Sequence, residues 1–112
     1  MTAPITRVTM IKIPSEDHLA IALEGFTVFA KTQQKDGEPY ILSMQAGRAN
    51  GPVRDQGYTF VTKSVFRNIE EMRYYETECP AHNAYREFLK SNAVVEGLMT
   101  VHFTAEASVD CI

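Results

Sequence analysis

The stretch Ile69-Glu-Glu-Met-Arg-Tyr-Tyr-Glu-Thr-Glu-Cys-Pro-Ala-His-Asn-Ala-Tyr-Arg-Glu-Phe-Leu-Lys90 reads as two helices hinged at Cys79-Pro80. Proline has no N–H to continue a helix and drives the residue before it out of helical geometry, so the first helix ends by Cys79 and the second begins at Pro80. The break sets Tyr75 just before the junction and His82 just after it. Backbone groups at such a junction lose their ladder partners, which leaves polar groups free to face a cleft.

Upstream of the hinge, Ile5–Ile13 has the β-branched content of a strand, with Val8 and Met10 on one face and Arg7, Thr9 and Ile11 on the other. Pro14 ends it, and Ser15 is a suitable N-cap for a helix whose first turn carries Glu16 and Asp17. Leu19, Ala22, Leu23, Phe26, Phe29 and Ala30 recur at helical spacing to about Gln34, and Asp36-Gly37-Glu38-Pro39 supplies the stop and turn. Tyr40–Gly47 is a second strand, residues 48–56 a polar loop, and Tyr58–Phe66 an alternating third strand. Downstream, Leu98–Phe103 closes the domain as a fourth strand. The order is βαββααβ, an α+β arrangement of the ferredoxin-like kind: an antiparallel four-stranded sheet with its helices on one face.

One parity set on the uncovered face is apolar: Val8, Met10, Val61, Val65, Met99, Val101 and Phe103. A monomer would expose these as a larger patch than soluble monomers tolerate, so a second sheet is expected to cover them, in a homodimer.

Composition excludes several classes. The chain has 112 residues, 45% of them hydrophobic, enough for one domain with a real core. Residues 1–104 form that domain, and residues 105–112 read as a disordered tail. With 14 acidic against 11 basic residues, the net charge of −3 and the scattered Lys and Arg positions argue against a nucleic-acid partner. The N-terminus lacks a long apolar run, so neither a signal peptide nor a membrane span is expected and a cytoplasmic protein follows. Cys79 and Cys111 suit free thiols. Neither metal-ligand spacing nor a Gly-rich nucleotide loop is present, so no metal or cofactor is expected.

Pro80-Ala81-His82, followed by Tyr85 and Phe88-Leu89, together with Gly57-Tyr58-Thr59 opening the strand that leads into the first of the two helices, resembles the stress-responsive α/β-barrel family of small dimeric proteins. The resemblance covers roughly residues 5 to 104, and it implies a dimeric α/β barrel, in agreement with the two apolar sheet faces. Some plant members are polyketide cyclases that use a tyrosine on the helix after strand three and the histidine of the Pro-Ala-His motif to form an enolate and close a ring by aldol-type condensation. By that resemblance Tyr75 and His82 are the catalytic candidates. Arg7, Thr9, Phe26, Phe29, Thr62, Ser64, Leu98 and Thr100 then form the substrate-binding wall of a mostly apolar cavity. This chain departs from the cyclases at two places. Glu76–Ala81 is one residue longer, and Arg7 stands where they carry another histidine; arginine shuttles no proton at neutral pH but can clamp a carboxylate or enolate oxygen.

Other roles stand beside these. His82 can pin the helix junction through a backbone bond, Tyr75 and the two phenylalanines can be core, and Arg7 can pair with Glu76 or Glu78; His18 and His102 read as a surface and a strand histidine. Two functions remain open: a cofactor-independent polyketide cyclase-like lyase or isomerase acting on a small enolisable molecule, and a non-catalytic stress-associated dimeric barrel that binds an apolar small molecule.

Overall fold

A computed structural model describes residues 3–112. The chain folds as β1 (Ile5–Lys12), α1 (Glu16–Thr32), β2 (Ser43–Arg48), a 3-10 helix (Pro52–Gln56), β3 (Phe60–Phe66), α2 (Ile69–Thr77), α3 (Pro80–Asn92) and β4 (Gly97–Thr104). The strands form one antiparallel sheet in the order β2-β3-β1-β4, with β2 and β4 at its edges. Residues 105–112 form neither helix nor strand and are exposed.

Local chemistry sets the boundaries. Ser15 Oγ accepts from the His18 backbone N–H at 3.3 Å and starts α1, while Asn68 Oδ1 accepts from Glu71 N–H at 2.9 Å and starts α2. After α1, Asp36 (φ 54°) and Gly37 (φ 82°) take left-handed backbone in a tight turn bridged between Lys35 and Glu38. The second strand starts later than its sequence pattern predicts, at Ser43 instead of Tyr40. The reason is the buried Gln33 side chain, whose Oε1 accepts from the backbone N–H groups of both Tyr40 and Ile41, at 3.1 and 3.2 Å. Similarly, Gly57 (φ 94°) and Tyr58 close the 3-10 helix through bonds to Arg54 O and Val53 O, so β3 opens at Phe60 and the polar loop before it is partly helical.

The side chains of Ile5, Ile11, Phe60 and Phe66 face the helices and are buried against Leu19, Ala22, Phe26, Phe29, Met72 and Leu89. Across the sheet, the β1–β4 register sets Val8 opposite Val101 and Met10 opposite Met99, with Val61 and Val65 on the same face from β3. Met99, Val101 and Phe103 are 49%, 59% and 53% exposed in the single chain, so this face is an uncovered apolar surface. Among the described residues, no helix is long and apolar enough to cross a membrane.

α1 and α3 approach closely at Gly25, where a built Cβ would fall inside the contact shell of the Phe88 ring. Alanine in a helix interior is favoured over glycine by about 1 kcal/mol. We therefore expect Gly25→Ala to lower stability in the wild-type chain yet raise it by about 1 kcal/mol in a Phe88→Ala background. Equal effects in the two backgrounds, by urea denaturation, would show that the ring does not dictate this glycine.

Candidate active site

The site is built on the interruption between α2 and α3. At the end of α2 the N–H groups of Glu78 and Cys79 both turn to the Tyr74 carbonyl, at 2.8 and 2.9 Å. Continued helical bonding would have joined Cys79 N–H to Tyr75 O; the double use of Tyr74 leaves that carbonyl open. His82 takes the vacancy, its Nδ1 lying 2.7 Å from Tyr75 O.

A carbonyl only accepts, so Nδ1 carries the proton and Nε2 keeps its lone pair. Burial lowers the imidazole pKa to about 4; the bond to Tyr75 O opposes this, the Arg7 and Arg86 charges reinforce it, and Glu76 opposes it. His82 is therefore neutral at physiological pH. Its ring stacks on that of Tyr75, with centroids 3.9 Å apart and planes 17° from parallel, so the longer Glu76–Ala81 segment does not separate the two. Tyr75 is buried, and burial raises its phenol pKa against the opposing pull of Arg7, which keeps it protonated as a donor.

Phe29 stacks on the rings of both His82 and Tyr85, and Phe26 meets Phe29 and Tyr85 edge-on. Tyr85 uses its hydroxyl on the Ala22 carbonyl, 2.8 Å away, tying α3 to α1. On the sheet side, Arg7 Nε donates to Glu76 Oε2 at 3.1 Å, and its Nη1 donates to Thr9 Oγ1 at 3.2 Å. Thr9 and Thr100 share a hydroxyl–hydroxyl bond of 2.9 Å. The Arg7 guanidinium also lies 5.1 Å from the Tyr75 ring centroid.

These groups enclose a cavity of about 240 Å³. Arg7, Thr9, Phe26, Phe29, Thr62, Tyr75, His82, Leu98 and Thr100 all line it, as do Ile11, Tyr85 and Leu89. Ser64 does not: it is 3% exposed and lies beside Tyr75, because strand parity fixes a side chain's face and leaves its depth to what packs over it. Among the other polar side chains, His18 Nδ1 accepts from the Val94 backbone N–H at 3.0 Å, whereas His102 is exposed on β4.

Arg86 and Glu76 also line the cavity. Glu76 entered the sequence reading only as a partner for Arg7, and Arg86 did not enter it at all. The signal was spacing: His82, Tyr85, Arg86 and Leu89 fall at i, i+3, i+4 and i+7, one face of α3.

The fold is that of ferredoxin-like α+β proteins, and comparison with known proteins agrees. Residues 5–104 match the stress responsive A/B barrel domain, and the chain belongs to that family. A Fusaristatin A biosynthesis cluster protein of Gibberella zeae is 44% identical over 104 residues, spanning 93% of this chain and 75% of that protein. Among solved structures, a hydroxynitrile lyase from Passiflora edulis superposes with a TM-score of 0.71 at 10% identity, covering 98% of this chain and 100% of that one. SnoaB, a cofactor-independent oxygenase from Streptomyces nogalater, gives 0.63 at 16% identity, covering 96% and 98%. A dimeric ferredoxin-like protein of unknown function from Thermobifida fusca gives 0.71 at 13% identity, covering 94% and 93%. At these identities the structures share the fold.

The depressed histidine makes a signed prediction. The unfolded chain takes up a proton near pH 6.5 and folded His82 only near pH 4, so the stability tied to the neutral imidazole is complete above 6.5 and lost as pH falls toward 4. Wild-type protein should lose about 2 kcal/mol more than His82→Asn between pH 7 and 4.5 in urea denaturation. Parallel pH profiles would mean that the imidazole is not held neutral.

Proposed function

We propose that the protein is a homodimeric, cofactor-independent acid–base enzyme, a polyketide cyclase-like lyase or isomerase acting on a small enolisable molecule. The observation that carries this reading is the fixed tautomer of His82: with Nδ1–H held by the Tyr75 carbonyl, Nε2 is a base in a cavity that Tyr75 also lines. The reading is supported by the 44% identity to a Fusaristatin A biosynthesis cluster protein.

In the reaction, Nε2 removes a proton from carbon beside a carbonyl, and the developing enolate oxygen is met by the Tyr75 hydroxyl and the Arg7 guanidinium. The enolate carbon then attacks a second carbonyl of the same molecule, forming the ring bond, and the imidazolium returns its proton to the new alkoxide. An imidazole with a pKa of about 4 is a weak base, so the C–H it attacks is an acidic one, flanked by two carbonyls. The apolar wall of Phe26, Phe29 and Leu98 holds the carbon skeleton.

One observation favours a second reading, a non-catalytic barrel that binds an apolar small molecule: His82 already has a structural duty in capping α2. The two separate by substitution. Asparagine can keep a donor for the Tyr75 carbonyl while removing the base, so His82→Asn should remain folded. It should lower cyclisation of a linear poly-β-keto acid by roughly 10²–10⁴-fold. Tyr75→Phe should lower kcat more than it raises KM. Wild-type rates in both variants, or no cyclisation by the wild-type protein, would favour the binding reading.

The dimer is supported by the uncovered apolar face of Val8, Met10, Met99, Val101 and Phe103 and by the dimeric ferredoxin-like proteins of the same fold. Covering an apolar side chain contributes about 1.5–3 kcal/mol, so Val101→Asp should yield a destabilised monomer in sedimentation. A dimer in that variant that persists on dilution would move the interface elsewhere.

A further inference from the structure

Arg7 and Arg86 both line the cavity, but they are in different situations. Arg7 is engaged by Glu76 and Thr9. Arg86 is exposed on α3 and makes no ion pair or side-chain hydrogen bond among the described residues. With His82 neutral, two guanidiniums face one carboxylate, so the lining carries one net positive charge inside a chain whose net charge is −3. A cleft with apolar walls focuses such a field on its contents.

Arg86 also stands where the cavity adjoins a second hollow of about 220 Å³ between α3 and β4. Ile11, Leu89 and Leu98 belong to both, and Val95 extends the apolar wall. Lys90 and Glu87 line the second hollow beside Arg86, two cations to one anion, so the positive balance continues there. A neutral, fully apolar occupant would pass this cation without engaging it.

We infer that the occupant is an acid: a small molecule with an apolar body and a carboxylate group, with Arg86 as the residue that selects for the charge. The inference rests on the reading of the cavity as a ligand site and adds the class of ligand. Arginine suits the task because its fork matches both carboxylate oxygens and stays charged at any physiological pH. The exposed position limits the gain to the range of a solvent-screened ion pair strengthened by hydrogen bonds.

Benzoate and benzamide, equal in size and differing in charge, provide the test at pH 7 by titration of the ¹⁵N-labelled protein. Benzoate should shift resonances of Tyr75, His82 and Arg86 and bind about fivefold or more tighter than benzamide, with the preference shrinking in molar salt. Arg86→Gln should abolish the preference while leaving benzamide binding in place, and Arg86→Lys should retain part of it. Equal binding of the two probes, or a preference that survives Arg86→Gln, overturns the assignment of charge selection while the cavity remains a ligand site. Binding of neither probe overturns the cavity reading and this inference together.

Discussion

The bond between His82 Nδ1 and the Tyr75 carbonyl is the constraint on which the rest of the site depends. Pro80 starts a new helix, the Cys79 N–H is drawn with that of Glu78 onto the Tyr74 carbonyl, and the Tyr75 carbonyl is left as a buried acceptor for a side chain to satisfy. Leaving it open would cost about 1–3 kcal/mol. Satisfying it with an imidazole fixes the ring's tautomer, lays its face on Tyr75 and points its remaining nitrogen away from the backbone. The same bond closes a helix and orients the proposed base.

The sheet divides its labour by parity. Alternate residues of β1 send Arg7, Thr9 and Ile11 toward the helices and Val8 and Met10 to the other side, so one strand lines the cavity and supplies the uncovered apolar face. β4 sits at the sheet edge, and its Leu98 and Thr100 complete the cavity wall while Met99 and Val101 continue the opposite face. A perturbation at that face therefore reaches the site through a single backbone.

The hinge was legible in the sequence because proline acts locally: its missing N–H and its clash with the preceding residue need no tertiary partner. The sheet was legible through its period of two, which also gave the facing of Arg7, Thr9, Thr62 and Thr100. What escaped depends on contacts distant in sequence. Nothing near Tyr40 announces that the Gln33 side chain will take its backbone N–H, and nothing in β3 announces that Ser64 will be buried outside the cavity lining. Arg86 escaped for another reason: an exposed cation on a helix resembles any solvated surface residue until its i−4 neighbour is known to face a cavity.

The proposed double duty of His82 also bears on how such a site evolves. A descendant that abandons proton transfer is still held to the imidazole by the open carbonyl beneath it, so selection for folding preserves the residue after selection for chemistry has ceased. The wall lacks this protection at Arg86, which is exposed on α3 and makes no side-chain bond among the described residues, so exchanging it costs the fold little. Gain and loss of activity across a lineage built on this junction would be recorded in the wall, while the histidine stayed constant through both.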